Sequence, residues 1–499
     1  MRLLSNANDN RPVILCEYAY QILASGGGFE HFRELTERYP RFQGGFVWDF
    51  ADKALWQTAD DGTKFAGYGG DFFESIVETK LPLFMCLNGI VTHDLRLKPA
   101  ALDMVKAYAP VFIEKSYDGY VLKNRALTKT LRAPMLTWAA CADGDELEGG
   151  IVQLEDVPPM SERFFRVNPA PVRGNCGYLN MRVRCAEEEV AREQFPLTVF
   201  TPIPRKSKYT PASFDDSHGT VTVRGEDFTL DIQKTTGCAV SLTRGGREYM
   251  LTGFTECAVR GLSGLSAQPG WGEFENFAAF THENCVRRVI SMNTCVTSDG
   301  RVRFERQTRL TSRTVEGASI DTELSATISG DGRIHTSVRF LLNGIKCVER
   351  LGLSFMLPED FETVEWFGLG PGESYPDRRL ACEMGVYKTT VSAMHFPYNP
   401  PAENGGREEV RHLSLTTMDG RELTFRSLTP FHFDARHYTI GDLREAAHDH
   451  EITRRRQTVL HVDAVHAGIG GDMAWSTVQN EKTTVSPGVY TLDMEISVK

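Results

Sequence analysis

Glu17 is the carboxylate best placed to do chemistry. It ends the apolar run Val13-Ile-Leu-Cys16, and a glycine-rich turn (Ser25-Gly-Gly-Gly28) and a helical pattern follow it. A short β-type run that delivers one carboxylate and then turns into a helix is how a barrel strand presents a catalytic group at the C-terminal face of a (β/α) barrel. Such a group acts as nucleophile or acid/base; the alternative is a strand glutamate paired with a neighbouring arginine. Trp48-Asp49 closes a second apolar run, residues 42–50 (FQGGFVWDF). An indole there suits the C–H face of a sugar, or else packs in a core. Asp49 either orients a partner or forms a surface pair. Asn88-Gly89 offers an amide oxygen to an ion or a hydroxyl, or simply makes a turn. Gly26–Gly28 lacks the phosphate-loop and dinucleotide spacings and reads as a turn. His432, His437, His448, His450, His461 and His466 gather near the C-terminus without zinc-finger or H-E-x-x-H spacing, so no metal is predicted there. No G-x-S-x-G nucleophile elbow occurs.

The elements that would position these groups can be read along the chain. Residues 1–108 are α/β. Strand 13–16 leads into helix 28–39, where Phe29, Phe32, Leu35 and Tyr39 recur at helical spacing before Pro40 stops it. Strand 42–50 follows. Pro99 opens a second helix with Leu102, Val105 and Tyr108 on one side, closed by Pro110. A barrel needs about 250 residues. Only sixteen residues precede Glu17, so the expectation is the C-terminal part of a barrel. Residues 109–203 alternate in short runs between Asp-Gly and Gly-Gly turns, the pattern of a small β-sandwich. Residues 204–211 belong to a proline-punctuated linker. Residues 212–499 read as a large antiparallel β-sandwich, with strands such as 302–310 and 334–342 and one short helix after the capping box Thr439-Ile-Gly-Asp442. The fold class is thus multidomain and mainly β.

Composition narrows the partners. The chain is 41% hydrophobic and 24% charged, as ordinary globular proteins are. Its net charge of −11 argues against nucleic acid, whose phosphates need a basic surface. No apolar run reaches the length of a membrane span, and the N-terminal residues do not form a secretion signal. Eleven scattered cysteines without a C-x-x-C pair suit a reducing compartment, so a cytoplasmic location is expected.

Five segments together resemble the bacterial lactose-cleaving β-galactosidases of glycoside hydrolase family 2. They are residues 12–18 (PVILCEY), 43–49 (QGGFVWD), 66–72 (AGYGGDF), 366–378 (WFGLGPGESYPDR) and 467–476 (AGIGGDMAWS). The resemblance implies the end of a catalytic barrel, an immunoglobulin-like sandwich and the large C-terminal sandwich. It makes Glu17 the catalytic nucleophile and Trp48 an aromatic platform for a β-galactoside. Asn88 becomes a sodium and sugar ligand, the Met85 backbone carbonyl a second sodium ligand, and Trp475 the residue that stacks on the acceptor sugar. Tyr20 stands where the family has a sugar-binding histidine, and Leu23-Ala24 replaces Gly-Asn in the loop after the nucleophile. Na+ and Mg2+ are the family's cofactors. The acid/base glutamate and the magnesium ligands are expected upstream of Met1, so the chain alone is expected to be inactive. The alternatives are a non-catalytic carbohydrate-binding or structural fragment and one subunit of a split enzyme. The partners expected are the sugar and either the N-terminal half or further copies of the chain.

Overall fold

The computed structural model describes residues 4–6, 8–73, 83–172, 174, 176–197, 209–267, 269–270, 272–471 and 480–499. They fall into two units. One comprises residues 1–104, 208–382 and 387–499, and the other residues 105–207 and 383–386.

The first unit opens with a β/α repeat. Strand β1 (Val13–Tyr18) carries Glu17. Helix α1 (Phe29–Arg38) starts at Gly28, whose φ of 76° lies in the left-handed region that a side chain disfavours. Phe29 and Phe32 form its buried face, and the Tyr18 and Phe32 rings lie 4.2 Å apart, fixing the end of β1 against the helix. Strand β2 (Phe42–Val47) pairs with β1 in parallel. It ends before Trp48, short of the expected Phe50: the Asp49 amide leaves the ladder and donates to the Asn88 carbonyl at 2.8 Å. A small hairpin follows, β3 (Leu55–Thr58) with β4 (Lys64–Gly67). Helix α2 (Pro99–Ala107) buries Ala100, Ala101, Asp103 and Ala107. Leu102, Val105 and Tyr108, expected on one side of the helix, are exposed together. Among the described residues, β1 and β2 pair only with each other, and Ile14 and Phe46 are also exposed.

The rest of this unit is a hydrogen-bonded array of seventeen strands running from Ser213 to Val498. Strict alternation builds it. Along residues 302–310 and 334–342 every second side chain is buried, and the apolar ones among them join one continuous core around Phe304, Phe340, Phe355, Trp366 and Phe425. The helix Ile440–Glu445 starts at a capping box in which the Thr439 hydroxyl accepts from the Asp442 amide and the Asp442 carboxylate accepts from the Thr439 amide.

Among its described residues, the second unit is a seven-stranded sandwich. Val111–Lys115, Tyr120–Asn124 and Ser161–Phe165 form one sheet. Met135–Ala142, Asp145–Gln153, Gly177–Cys185 and Glu188–Pro196 form the other. Leu122, Leu136, Leu179 and Met181 fill the space between them. All eleven cysteines are free, and no helix among the described residues is long and apolar enough to cross a membrane.

Candidate active site

Glu17 lies one residue before the end of β1. Its Oε1 is buried and has no hydrogen-bond partner among the described residues. Trp48 comes directly after the neighbouring strand, and its amide donates to the Tyr18 carbonyl at 2.9 Å. The parallel pairing therefore puts Glu17 and Trp48 at the same end of two adjacent strands. The indole is 42% exposed, so it lies open for stacking and not in a core.

Beside them runs a chain of polar contacts. Asp49 pairs with Lys53, and the hydrogen bond from Lys53 holds the Asp49 carboxyl below its usual range. The Lys53 ammonium also donates to Asn88 Oδ1 at 3.0 Å. Asn88 Nδ2 donates to the Tyr20 hydroxyl at 2.8 Å, and that hydroxyl donates to the Met85 carbonyl at 3.1 Å. Burial pushes the Tyr20 phenol up, and the negative charges of Glu17 and Asp49 add to the effect, so the phenol stays protonated as a donor. Tyr20, Met85 and Asn88, far apart in sequence, thus form one cluster next to Glu17. Lys53 is the member that sequence reasoning missed; its position four residues after Asp49 was the available signal.

The two oxygens assigned to sodium by resemblance, the Met85 carbonyl and Asn88 Oδ1, both accept hydrogen bonds. The Lys53 ammonium already brings a positive charge to Asn88 and Asp49. As they stand, these residues do not fit a sodium ion, and no step is derived through one.

Under the cluster lies an ion pair, Asp52 with Lys98 at 2.8 Å, both fully enclosed. Asp52 accepts from the Gly89 amide at 2.8 Å and Lys98 donates to the Gln21 carbonyl at 3.3 Å. One pair therefore ties the segment after Glu17 to the turn that carries Asn88.

The loop after Glu17 is clamped by the large β domain. The Gly26 and Gly27 amides donate to the Gly470 carbonyl at 2.8 and 2.9 Å, and Arg378 donates to the Ala24 carbonyl at 2.8 Å. Asp377 accepts from the Ile469 and Gly470 amides at 3.0 and 2.8 Å. A Cβ on Gly27 would come within 2.5 Å of the Asp377 carboxyl carbon, so only glycine allows this approach. Two of the resembling segments, 366–378 and 467–476, meet here on the loop that follows a third. A fourth is anchored elsewhere on the same domain: the Tyr68 hydroxyl donates to the Ala447 carbonyl at 2.8 Å, and Asp71 pairs with His448 at 3.2 Å. Trp475 lies outside the described residues.

Two family models and a set of curated proteins match the chain. Residues 2–113 match the family described as "Glycosyl hydrolases family 2, TIM barrel domain". Residues 224–496 match "Beta galactosidase small chain". A β-galactosidase of Vibrio cholerae is 27% identical over 99% of this chain and 49% of its own length. A β-galactosidase 2 of Enterobacter cloacae is 29% identical over 94% of this chain and 46% of its own. The chain thus spans about half the length of the curated relatives it matches. Among solved structures, a galactose 1-epimerase from Lactobacillus acidophilus NCFM matches 58% of this chain and 99% of its own at 6% identity and a TM-score of 0.29, too low a likeness to support any argument. With more than half of its residues inside the small-chain match, this chain belongs to the β-galactosidase small-chain family and is a β-galactosidase-type protein of glycoside hydrolase family 2.

Proposed function

We propose that Glu17 is the nucleophile of a retaining β-galactosidase reaction and that Trp48 is the platform on which the sugar ring lies. In the first step the Glu17 carboxylate attacks the anomeric carbon, the glycosidic C–O bond breaks, and the aglycone oxygen leaves with the bonding electrons. Water then hydrolyses the glycosyl ester and frees the carboxylate. A natural alkoxide must be protonated as it leaves, by a second carboxyl group ~5–5.5 Å from the first. This chain is proposed to supply the nucleophile half of that pair. The observation that carries the reading is the buried, unpartnered Glu17 Oε1 at the strand end beside an exposed indole. A glutamate with a structural role would be engaged by a donor, whereas a nucleophile needs its lone pair free.

Tyr20 modifies the expected sugar contact. Its proton is committed to the Met85 carbonyl, so a sugar hydroxyl that reaches it must itself be the donor.

The test uses an activated 2-deoxy-2-fluoro-β-galactoside, whose leaving group departs without protonation and whose glycosyl ester hydrolyses slowly. Peptide mapping of the full chain should find one adduct, on Glu17, and none in Glu17→Gln. Labelling of another residue, or adduct formation that persists in Glu17→Gln, would refute the assignment.

A further inference from the structure

We propose that Lys53 is a sugar-binding residue: its ammonium is the resident cation of the pocket beside Glu17, in the place that the resemblance gives to sodium, and it donates a hydrogen bond to one hydroxyl of a neutral sugar. This rests on the reading of Glu17 as nucleophile and adds to it a group that orients the substrate.

The backbone fixes where the Lys53 side chain starts. Its amide donates to the Cys86 carbonyl at 3.0 Å. Four residues earlier the Asp49 amide donates to the Asn88 carbonyl at 2.8 Å, and the Asp49 carbonyl accepts from the Ile90 amide at 2.9 Å. The segment after Trp48 is thus joined at two points to the segment that carries Asn88. A surface lysine keeps its ammonium in water. Lys53 instead donates to Asn88 Oδ1 at 3.0 Å while pairing with Asp49. Asn88 is buried, and the other end of its amide holds the Tyr20 hydroxyl. An exposed Asp–Lys pair alone is worth little. The contact with a buried amide, three residues along from Tyr20's neighbour Glu17 in the same cluster, is what sets this lysine apart.

Counting donors shows what remains. A lysine ammonium has three N–H groups. Asp49 and Asn88 take two, and among the described residues no acceptor takes the third. The Lys53 side chain is 52% exposed, so that donor is open to a ligand. The sign of the neighbourhood selects the ligand. A carboxylate or phosphate on the substrate would meet the Asp49 charge as well as the ammonium, whereas a hydroxyl oxygen gains the hydrogen bond without that repulsion. The same reasoning excludes sodium: an ion on Asn88 Oδ1 would face a positive charge already bound to that oxygen.

The test times adduct formation on Glu17 in the full chain with the activated 2-deoxy-2-fluoro-β-galactoside. Lys53→Met keeps the length of the side chain but has no donor, and it should label Glu17 ~10-fold or more slowly, the worth of a hydrogen bond to a charged group. Near-UV circular dichroism confirms that the variant is folded. Contact is separated from support with monodeoxy versions of the reagent. One of them should label wild type ~10-fold more slowly than the parent reagent, yet label Lys53→Met no more slowly, because the missing hydroxyl and the missing donor belong to one bond. Exchanging sodium chloride for choline chloride should leave the wild-type rate unchanged. These last two measurements on wild type stand even if Lys53→Met does not fold. Equal labelling of wild type and Lys53→Met, deoxy penalties that are absent in wild type or identical in both proteins, faster labelling by the matching uronide, or a wild-type rate that needs Na+ would each overturn the role of Lys53 and leave the nucleophile standing. No adduct on Glu17 in wild type would overturn both.

Discussion

Asn88 holds Tyr20 through a hydrogen bond of 2.8 Å from its amide to the tyrosine hydroxyl, which ties the turn that carries Asn88 to the segment that follows Glu17. Asn88 is 3% exposed and Tyr20 is 7% exposed, so neither group has water to replace its partner.

Tyr20→Phe therefore leaves the Asn88 amide N–H unpaired in the interior. The expected loss is about 1–3 kcal/mol of unfolding free energy, the cost of an unsatisfied buried donor. Asn88→Ala should cost a similar amount. In urea denaturation the double variant should lose clearly less than the sum, because both changes remove the same bond. Strict additivity would show that the hydroxyl and the amide are energetically independent.

At Gly27 the constraint is steric. An alanine Cβ would lie 2.5 Å from the Asp377 carboxyl carbon and 2.9 Å from its carbonyl oxygen. One of these neighbours is backbone, so a rotamer change gives no relief. Gly27→Ala should destabilise by about 1–3 kcal/mol and loosen the loop from the Gly470 carbonyl. Limited proteolysis should then cut within residues 20–28 faster than in wild type. Unchanged cutting with an unchanged melting temperature would show that the clamp yields freely.

Lys98→Met is the sharper probe of the support beneath the cluster. The methionine fills the volume but leaves the Asp52 carboxylate enclosed with, among the described residues, only the Gly89 amide as a donor. Breaking one side of a buried pair costs about 3–5 kcal/mol. Asp52→Asn combined with Lys98→Met should recover much of that loss, since no charge is then stranded. If the double variant is as unstable as Lys98→Met alone, packing and not charge sets the cost.

The local features were legible because their causes are local. The apolar run before Glu17 makes β1, helical spacing with Pro40 makes α1, and Thr439 with Asp442 makes the capping box. The misses come from partners distant in sequence. Strand β2 stops before Trp48 because Asp49 turns to Asn88, about forty residues on. Leu102, Val105 and Tyr108 share one side of α2, yet the alanine side is what packs. The closeness of His432 and His466 was not legible because it depends on cross-strand register, which a period-2 pattern does not specify. Lys53 went unnoticed because a charged residue after a strand looks solvated until Asn88 is placed beside it.

The buried pair Asp434–His461 predicts how stability depends on pH. The His461 ring nitrogen lies 2.8 Å from the Asp434 carboxylate. Burial pushes the imidazole down, but the Asp434 charge outweighs it and raises His461 from 6.5 to about 9. For Asp434, burial works upward, and Arg436, Arg350 and His461 together outweigh it and hold the carboxyl well below its ordinary 3.8. A raised folded value means that His461 stabilises fully below pH 6.5 and that this contribution fades as the pH climbs through about 9. A depressed value means that the Asp434 contribution is present above 3.8 and fades as the pH falls below it. Both are therefore complete between those limits. On the alkaline side, unfolding free energy should fall by up to about 1.4 kcal/mol per pH unit, the limit for one proton. His461→Gln, whose amide still donates to Asp434, should be less stable than wild type near pH 6 and should lack this decline. Urea unfolding across the alkaline range measures both. A decline of equal slope in the variant would place the titrating group elsewhere.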